Sequence, residues 1–249
     1  MNGRLAGRIA VVSGGGAGIG QTIAAVLASQ GADIAVADVG PTDETKALVE
    51  KWGRRFFGAK VDVSDERQVE NFALQVRQFL GPVDIVMNNA AIASHGSIEE
   101  TSFEFWQRLF SINVHGNFLF TRAFVEDVKR SKAGRIICMT STCYLENSLD
   151  KFVTYVTSKS AINGFVSALA CDLGPFNVTV NGVSPSVVRT PTTEKYLTEE
   201  WFAAHIEKQN LKRQQQPEDV ANMVAYLASD EGAFITGQIM VVDGGLTRR

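Results

Sequence analysis

The strongest constraint on the fold of this chain is a rhythm: short runs rich in Val and Ile alternate with longer amphipathic stretches almost from end to end. Joining parallel strands takes a crossover of a dozen or more residues, usually a helix, so this rhythm describes repeated strand-helix units around a parallel sheet. Ile9–Ser13, Ile34–Asp38, Gly58–Val61, Ile85–Asn88, Arg135–Thr140, Thr179–Val183 and Ile239–Val242 are predicted as strands, each too short for a helix and rich in β-branched residues. Helical spacing falls on Gly20–Gly31, Asp43–Gly53, Asp65–Leu80, Phe103–Lys129, Phe152–Leu173 and Pro217–Ala228. Ser64 suits a cap of the third helix, Pro217 a first helical turn, and Gly31, Gly53, Gly81 and Gly174 the carboxyl ends. The expectation is an α/β chain forming one doubly wound domain over residues 1–249, a seven-stranded parallel sheet with helices on both faces. Its 249 residues suffice for one sizeable core. Residues 189–216 break the rhythm; this long polar stretch with Tyr196, Trp201 and Phe202 reads as a substrate lid within the domain.

Composition narrows the function classes. Lys plus Arg number 24 against 27 Asp plus Glu, a net charge of −3 with both signs scattered, which argues against a nucleic-acid or membrane-surface binder. Met1–Arg8 lacks the pattern of a secretory leader, and no apolar run reaches the roughly 18 residues of a membrane span, so a soluble cytoplasmic protein is expected. Cys138, Cys143 and Cys171 lack C-x-x-C spacing and read as packing residues. His95, His115 and His205 lack zinc-site spacing, and no metal is expected.

Ser13-Gly-Gly-Gly-Ala-Gly-Ile-Gly20 directly follows the first strand and opens the first helix. Gly14, Gly16, Gly18 and Gly20, with Ile19, let the backbone turn and approach a pyrophosphate, whose charge the helix amino terminus stabilises. Asp38 ends the second strand about 20 residues beyond, where a carboxylate bonds ribose hydroxyls and repels a 2′-phosphate. No Lys or Arg is expected in the loop or beside Asp38 to offset that repulsion, which points to NAD rather than NADP. Further on, Tyr155 and Lys159 are four apart on a predicted helix and share a face. A neighbouring ammonium is expected to lower the phenol pKa from about 10, making Tyr155 a general acid or base. Ser141 ends the fifth strand, where its hydroxyl reaches a ligand.

These motifs resemble the short-chain dehydrogenase/reductase family, in its single-domain branch of about 250 residues, over essentially the whole chain. The family's T-G-x-x-x-G-x-G reads here as Ser13-Gly14 through Gly18 and Gly20, and its N-N-A-G as Asn88-Asn89-Ala90-Ala91. The resemblance implies a Rossmann fold, hydride transfer between nicotinamide C4 and a carbinol carbon, and a tetrad of Asn113, Ser141, Tyr155 and Lys159. Tyr155 would exchange the proton, Ser141 orient the substrate oxygen, Lys159 bind the nicotinamide ribose, and Asn113 hold a water. Asp62 and Val63 would flank the adenine, Asn88 and Ala90 line the cleft, and Pro185, Val188 and Thr190 surround the nicotinamide. Ala91 and Ser186 stand where the family has glycine. Ser141 lies 14 residues before Tyr155, one more than usual, so Thr142 competes for its role; Ser141 is preferred because Thr140-Ser141 matches the strand-end pair. A homotetramer is implied, pairing Phe103–Lys129 and Phe152–Leu173 across subunits and using the final strand. Phe103, Phe105, Trp106, Phe110, Phe118 and Phe120 read as core and helix contacts.

The substrate is expected to be a small alcohol or carbonyl compound. Its pocket should draw on Ser94, His95, Cys143, Tyr144, Leu145, Glu146, Asn147 and Ser148, and on the lid's Tyr196, Trp201 and Phe202. The chain resembles members that oxidise aryl secondary alcohols of the 1-phenylethanol kind. A sugar, polyol or hydroxy acid, met by Arg189, Lys195 or His95, is the alternative. A non-catalytic nucleotide-binding module is the reading from another class.

Overall fold

The computed structural model describes residues 3–93, 95–146, 150–195 and 197–247. Seven strands, β1 (Ile9–Ser13), β2 (Asp33–Asp38), β3 (Phe56–Lys60), β4 (Ile85–Asn88), β5 (Arg135–Met139), β6 (Thr179–Pro185) and β7 (Ile239–Val242), form one sheet in the order β3-β2-β1-β4-β5-β6-β7. Every pairing is parallel. Because side chains alternate along a strand, β1 sends Ala10 and Val12 into one core and Ile9 and Val11 into the other. The first core is closed by α1 (Gly18–Ser29) and α8 (Pro217–Ala228), the second by α3 (Glu66–Phe79), α5 (Gly116–Arg130) and α6 (Val153–Leu173). Both faces are covered, which is why the strands read as unbroken apolar runs. This is the Rossmann-type single domain expected. Among the described residues no helix is long and apolar enough to cross a membrane.

Chain order runs one way from β1 to β3 and the other way from β4 to β7. Ligands of such sheets sit in the crevice where the order reverses, outside the carboxyl ends of the strands. Here the crevice lies between the glycine loop after β1 and the Asn89–Ala91 segment after β4.

Several boundaries differ from expectation. β3 begins two residues early because Phe56 pairs with Ile34 and fills the first core. Asp65, not Ser64, caps α3, its carboxylate accepting from the Gln68 N–H, while Ser64 bonds Asp62. Gly31, Gly53 and Gly81 have positive φ at helix ends, but Gly174 does not; the left-handed residue there is Asn177. Residues 103–130 form α4 (Phe103–Phe110) and α5 joined by a π-helical turn, Ser111–His115. Of the six aromatics expected in the core, only Phe120 is fully buried; Phe103 and Phe118 are 68% and 48% exposed. The 189–216 stretch contains a helix, α7 (Glu199–Lys208), capped by Thr198 and lacking a clean apolar stripe.

Candidate active site

The phosphate loop is built by close approaches that exclude side chains. A Cβ on Gly14, whose φ is 65°, would lie 2.8 Å from Ala90 Cα, and one on Gly20 would lie 2.0 Å from the Gly14 carbonyl oxygen. Asn89 ties this loop to β4: its amide donates to the carbonyls of Ser13 (3.1 Å) and Gly14 (2.8 Å). Ser13 stands where the family motif has threonine, and its hydroxyl accepts from the N–H groups of Asn89 and Ala90. α1 starts with no side-chain cap and no acidic residue in its first turn, so the positive end of its dipole is open to an anion. This cradle fits a dinucleotide pyrophosphate, as the glycine spacing predicts.

Asp38 ends β2 beside the glycine loop. Its Oδ2 accepts from the Gly16 N–H and its Oδ1 from the Gly40 N–H, both at 2.8 Å. Asp62 bonds Ser64 and Arg108; burial alone would raise its carboxyl pKa, but these hydrogen bonds outweigh burial and hold it below the usual range. Val63 is buried against Gly116, where a Cβ would come within 2.7 Å. Asn88 corrects an expectation. Its side chain turns into the core and donates to Thr121 at 2.8 Å, so the cleft wall comes from Asn89 and Ala90 instead. Ala91 has an ordinary negative φ and an exposed methyl, so its loss of glycine costs nothing in the backbone. Ser186 adds a tether, donating to Gln215, whose amide in turn donates to the Val242 carbonyl. The segment so fixed places Pro185 at the end of β6, Val188 in a bridge to Gln215, and Thr190 opposite the start of α1.

Beyond this cradle the catalytic candidates converge. Ser141 follows β5, its hydroxyl accepting from the Cys143 N–H at 3.3 Å and close enough to favour the Tyr155 phenolate. Thr142 is fully buried and donates instead to Glu146 at 2.8 Å, so geometry favours Ser141; the extra residue is taken up in a 3-10 turn, Thr142–Tyr144. Lys159 Nζ donates to the Met139 carbonyl at 2.9 Å and lies 5.8 Å from the centre of the Tyr155 ring. Asn113 sits in the π turn with its side chain fully engaged. Its Oδ1 accepts from the Ile92 N–H and its amide donates to the Ile92 carbonyl and the Ser158 hydroxyl. These bonds lock the β4–α4 loop to α6.

The charge balance also departs from expectation. Burial pushes the Tyr155 phenol above its ordinary range, with the Cys143 thiol adding to this and Ser141 partly offsetting it. The same burial lowers Lys159 to about 8. Desolvation thus governs the phenol, and no lowering by the ammonium offsets it. Cys138 and Cys143 are buried as packing residues, and burial pushes the Cys138 thiol up to about 12; Cys171 is exposed.

Around the cleft, His95 packs edge-on against Phe152 at 5.2 Å, and Gly96 bridges to Phe152. Burial raises the Glu146 carboxyl, which faces Lys208 and Asp243. Arg189 is already paired with Glu194 and Glu199 and lies over Phe202, so it ties the segment after β6 to α7. Trp201 stacks on a buried His205. Ser94, Asn147, Ser148, Tyr196 and the side chain of Lys195 lie outside the described residues. Among the described residues no group of His, Cys, Asp and Glu could hold a metal ion.

Comparison with known proteins agrees with this geometry. Residues 14–247 match the family described as enoyl-(acyl carrier protein) reductase. The chain is 33% identical over 245 residues, 98% of its length and 91% of the relative's, to 3-alpha-(or 20-beta)-hydroxysteroid dehydrogenase of Mycobacterium tuberculosis. It is 34% identical to cyclopentanol dehydrogenase of Comamonas testosteroni, covering 98% of this chain and 99% of that one. A short-chain dehydrogenase/reductase from Serratia marcescens superposes with a TM-score of 0.93 at 30% identity, covering 98% of this chain and all of that one. The chain belongs to the short-chain dehydrogenase/reductase family, a family of oxidoreductases. Its structural neighbours hold nicotinamide cofactors of both kinds. Carveol dehydrogenase from Mycobacterium avium is in complex with NAD (TM-score 0.90, 28% identity, covering 98% of this chain and 99% of that one). A blue fluorescent protein from a metagenomic library is in complex with NADPH (TM-score 0.91, 33% identity, covering 98% of this chain and all of that one).

Proposed function

We propose that this chain is an NAD-dependent dehydrogenase that interconverts a secondary alcohol and its ketone, with Tyr155 as general acid and base. The observation that carries the reading is the meeting of Ser141, Tyr155 and Lys159 at the carboxyl end of β5, beside an uncapped helix start and a strand-end carboxylate. The dinucleotide, when bound, accepts or supplies a hydride at nicotinamide C4. In the oxidation direction Tyr155 takes the hydroxyl proton while the carbinol carbon loses its hydride; in reduction it returns a proton to the carbonyl oxygen. Ser141 donates a hydrogen bond to that oxygen and orients it. Lys159 holds a positive charge beside the phenol and stabilises its anion. Asn113 positions, through Ile92 and Ser158, the loop and the helix that frame the cleft.

Ring contacts around His95 and Phe152 supply an apolar wall, which suits a cyclic or aryl alcohol. A hydroxy acid is disfavoured because Arg189 is already engaged by two glutamates. A pure nucleotide-binding module has no need of a phenol, hydroxyl and ammonium so placed. Residues 189–216, with α7, form the lid over the cleft. The test is absorbance of reduced nicotinamide with NAD or NADP across aryl alcohols, cyclic alcohols, polyols and hydroxy acids. NAD should be preferred, and Asp38→Ala should erode the preference by about tenfold or more in kcat/KM. An unchanged cofactor ratio in that variant would refute the Asp38 assignment.

We also propose a homotetramer. Phe103, Phe105 and Phe118 on α4 and α5, and the partly exposed Ile239–Val242 edge strand, leave apolar faces that a second and third copy would cover. Light scattering at micromolar concentration should give four times the 27.0 kDa chain mass; a monomer would remove this proposal.

A further inference from the structure

The ribose end of the crevice holds a cation that no motif announces. Asp38 and Lys60, the last residues of β2 and β3, are register partners across a parallel ladder. Such partners send their side chains to the same side of the sheet, here that of Ile34, Val36 and Phe56. Beside them a cavity of about 420 Å³ is lined by Val39, Gly40, Pro41, Asp43, Gly58 and Lys60. Its floor depends on Gly58, where a Cβ would fall 2.3 Å from Thr42 Oγ1. Asp38, next in sequence to the lining residue Val39, is fixed by the Gly16 and Gly40 N–H groups rather than by an ion pair with its register partner Lys60. The charged groups lining the space are therefore Asp43 and Lys60, with Asp38 beside Lys60 across the ladder.

We propose that Lys60 is a specificity-determining residue for the dinucleotide: it is the cationic half of a latent 2′-phosphate pocket whose use Asp38 blocks. The inference rests on the reading that Asp38 meets the adenosine ribose. A 2′-phosphate arriving there is repelled by Asp38 and attracted by Lys60, so the protein's discrimination against NADP is the difference between the two. Removing the carboxylate alone opens the pocket, with its lysine already in place.

The test measures dissociation constants for NADH and NADPH by reduced-nicotinamide fluorescence, which needs no turnover. Asp38→Asn should improve NADPH relative to NADH by about tenfold, and adding Lys60→Ala should remove about fivefold of that gain. Lys60→Arg should retain it, and raising NaCl from about 50 to 500 mM should shrink the lysine-dependent part, as screening requires. In the otherwise unchanged protein, Lys60→Glu should widen discrimination against NADPH about fivefold or more. The proposal is overturned if the NADPH to NADH ratio moves less than twofold on losing Lys60 in both backgrounds. If the unaltered protein prefers NADPH, the NAD reading fails while the lysine effect still decides this one; if neither nucleotide binds, both fall.

Discussion

Tyr155→Phe should lower kcat by about 10³-fold in both directions while leaving NADH binding nearly intact. The substitution keeps the ring and removes one oxygen, the phenol placed beside Ser141 and the Lys159 ammonium. Ser141 is a poor substitute, because a hydroxyl on an aliphatic carbon is far less acidic than a phenol. Its place next to Tyr155 instead suits a donor to the substrate oxygen. Folding should change little, since the ring and its packing are kept and only one oxygen is lost. The comparison of turnover with NADH fluorescence titration separates chemistry from binding. A variant whose kcat stays within tenfold of the parent would show that the proton moves by another route, and the assignment of acid and base would have to be withdrawn.

The fold was legible in the chain because a parallel sheet covered on both faces demands continuous apolar strands, and crossovers demand helices of readable period. Val11 and Val12 alternate between two cores, yet both had to be apolar. What escaped reading depends on contacts between distant residues. Thr45 donates to the Gly15 carbonyl at 2.8 Å and steadies the phosphate loop from α2 (Asp43–Glu50), but nothing in its neighbours' spacing marks it. Asn89 stood inside a quoted motif, and its role appears only once β4 lies beside β1. Asn88, one residue earlier, faces the opposite way into the core, as strand alternation requires. α7 was missed because its polar composition resembles a loop, and its capping residue Thr198 gives a weak signal alone. Lys60 is 22 positions from Asp38 and becomes its neighbour only through register. The direction of the Tyr155 shift was misjudged for the same reason: spacing reveals a nearby charge, whereas desolvation depends on everything packed around it.

Lys159→Met should make the protein more stable and nearly inactive. The unfolded lysine titrates near 10.5, but burial brings the folded one to about 8, so between those values the unfolded chain binds more protons than the folded one. Stability of the parent therefore rises with pH across that window, and below it the buried ammonium costs about 3 kcal/mol. Met keeps the apolar stem, loses the bond to the Met139 carbonyl, and removes the penalty. At pH 7 the thermal midpoint should climb by about 5 °C, and the rise in stability from pH 8 to 10.5 should vanish. Tyr155 acts in a separate window: its raised folded value gives stability that is present below pH 10 and lost above it. Activity moves the other way. Ketone reduction needs the phenol protonated and the ammonium charged, so kcat/KM in the parent should fall as pH rises through about 8. The variant should lose about 10²-fold or more in kcat and show no inflection there. A chain that melts earlier at pH 7 would mean that the ammonium is satisfied by the fold, and an inflection surviving near pH 8 would assign it to another group. Keeping a charged lysine in that place at a cost to the fold is what a site requires when it must stabilise a phenolate.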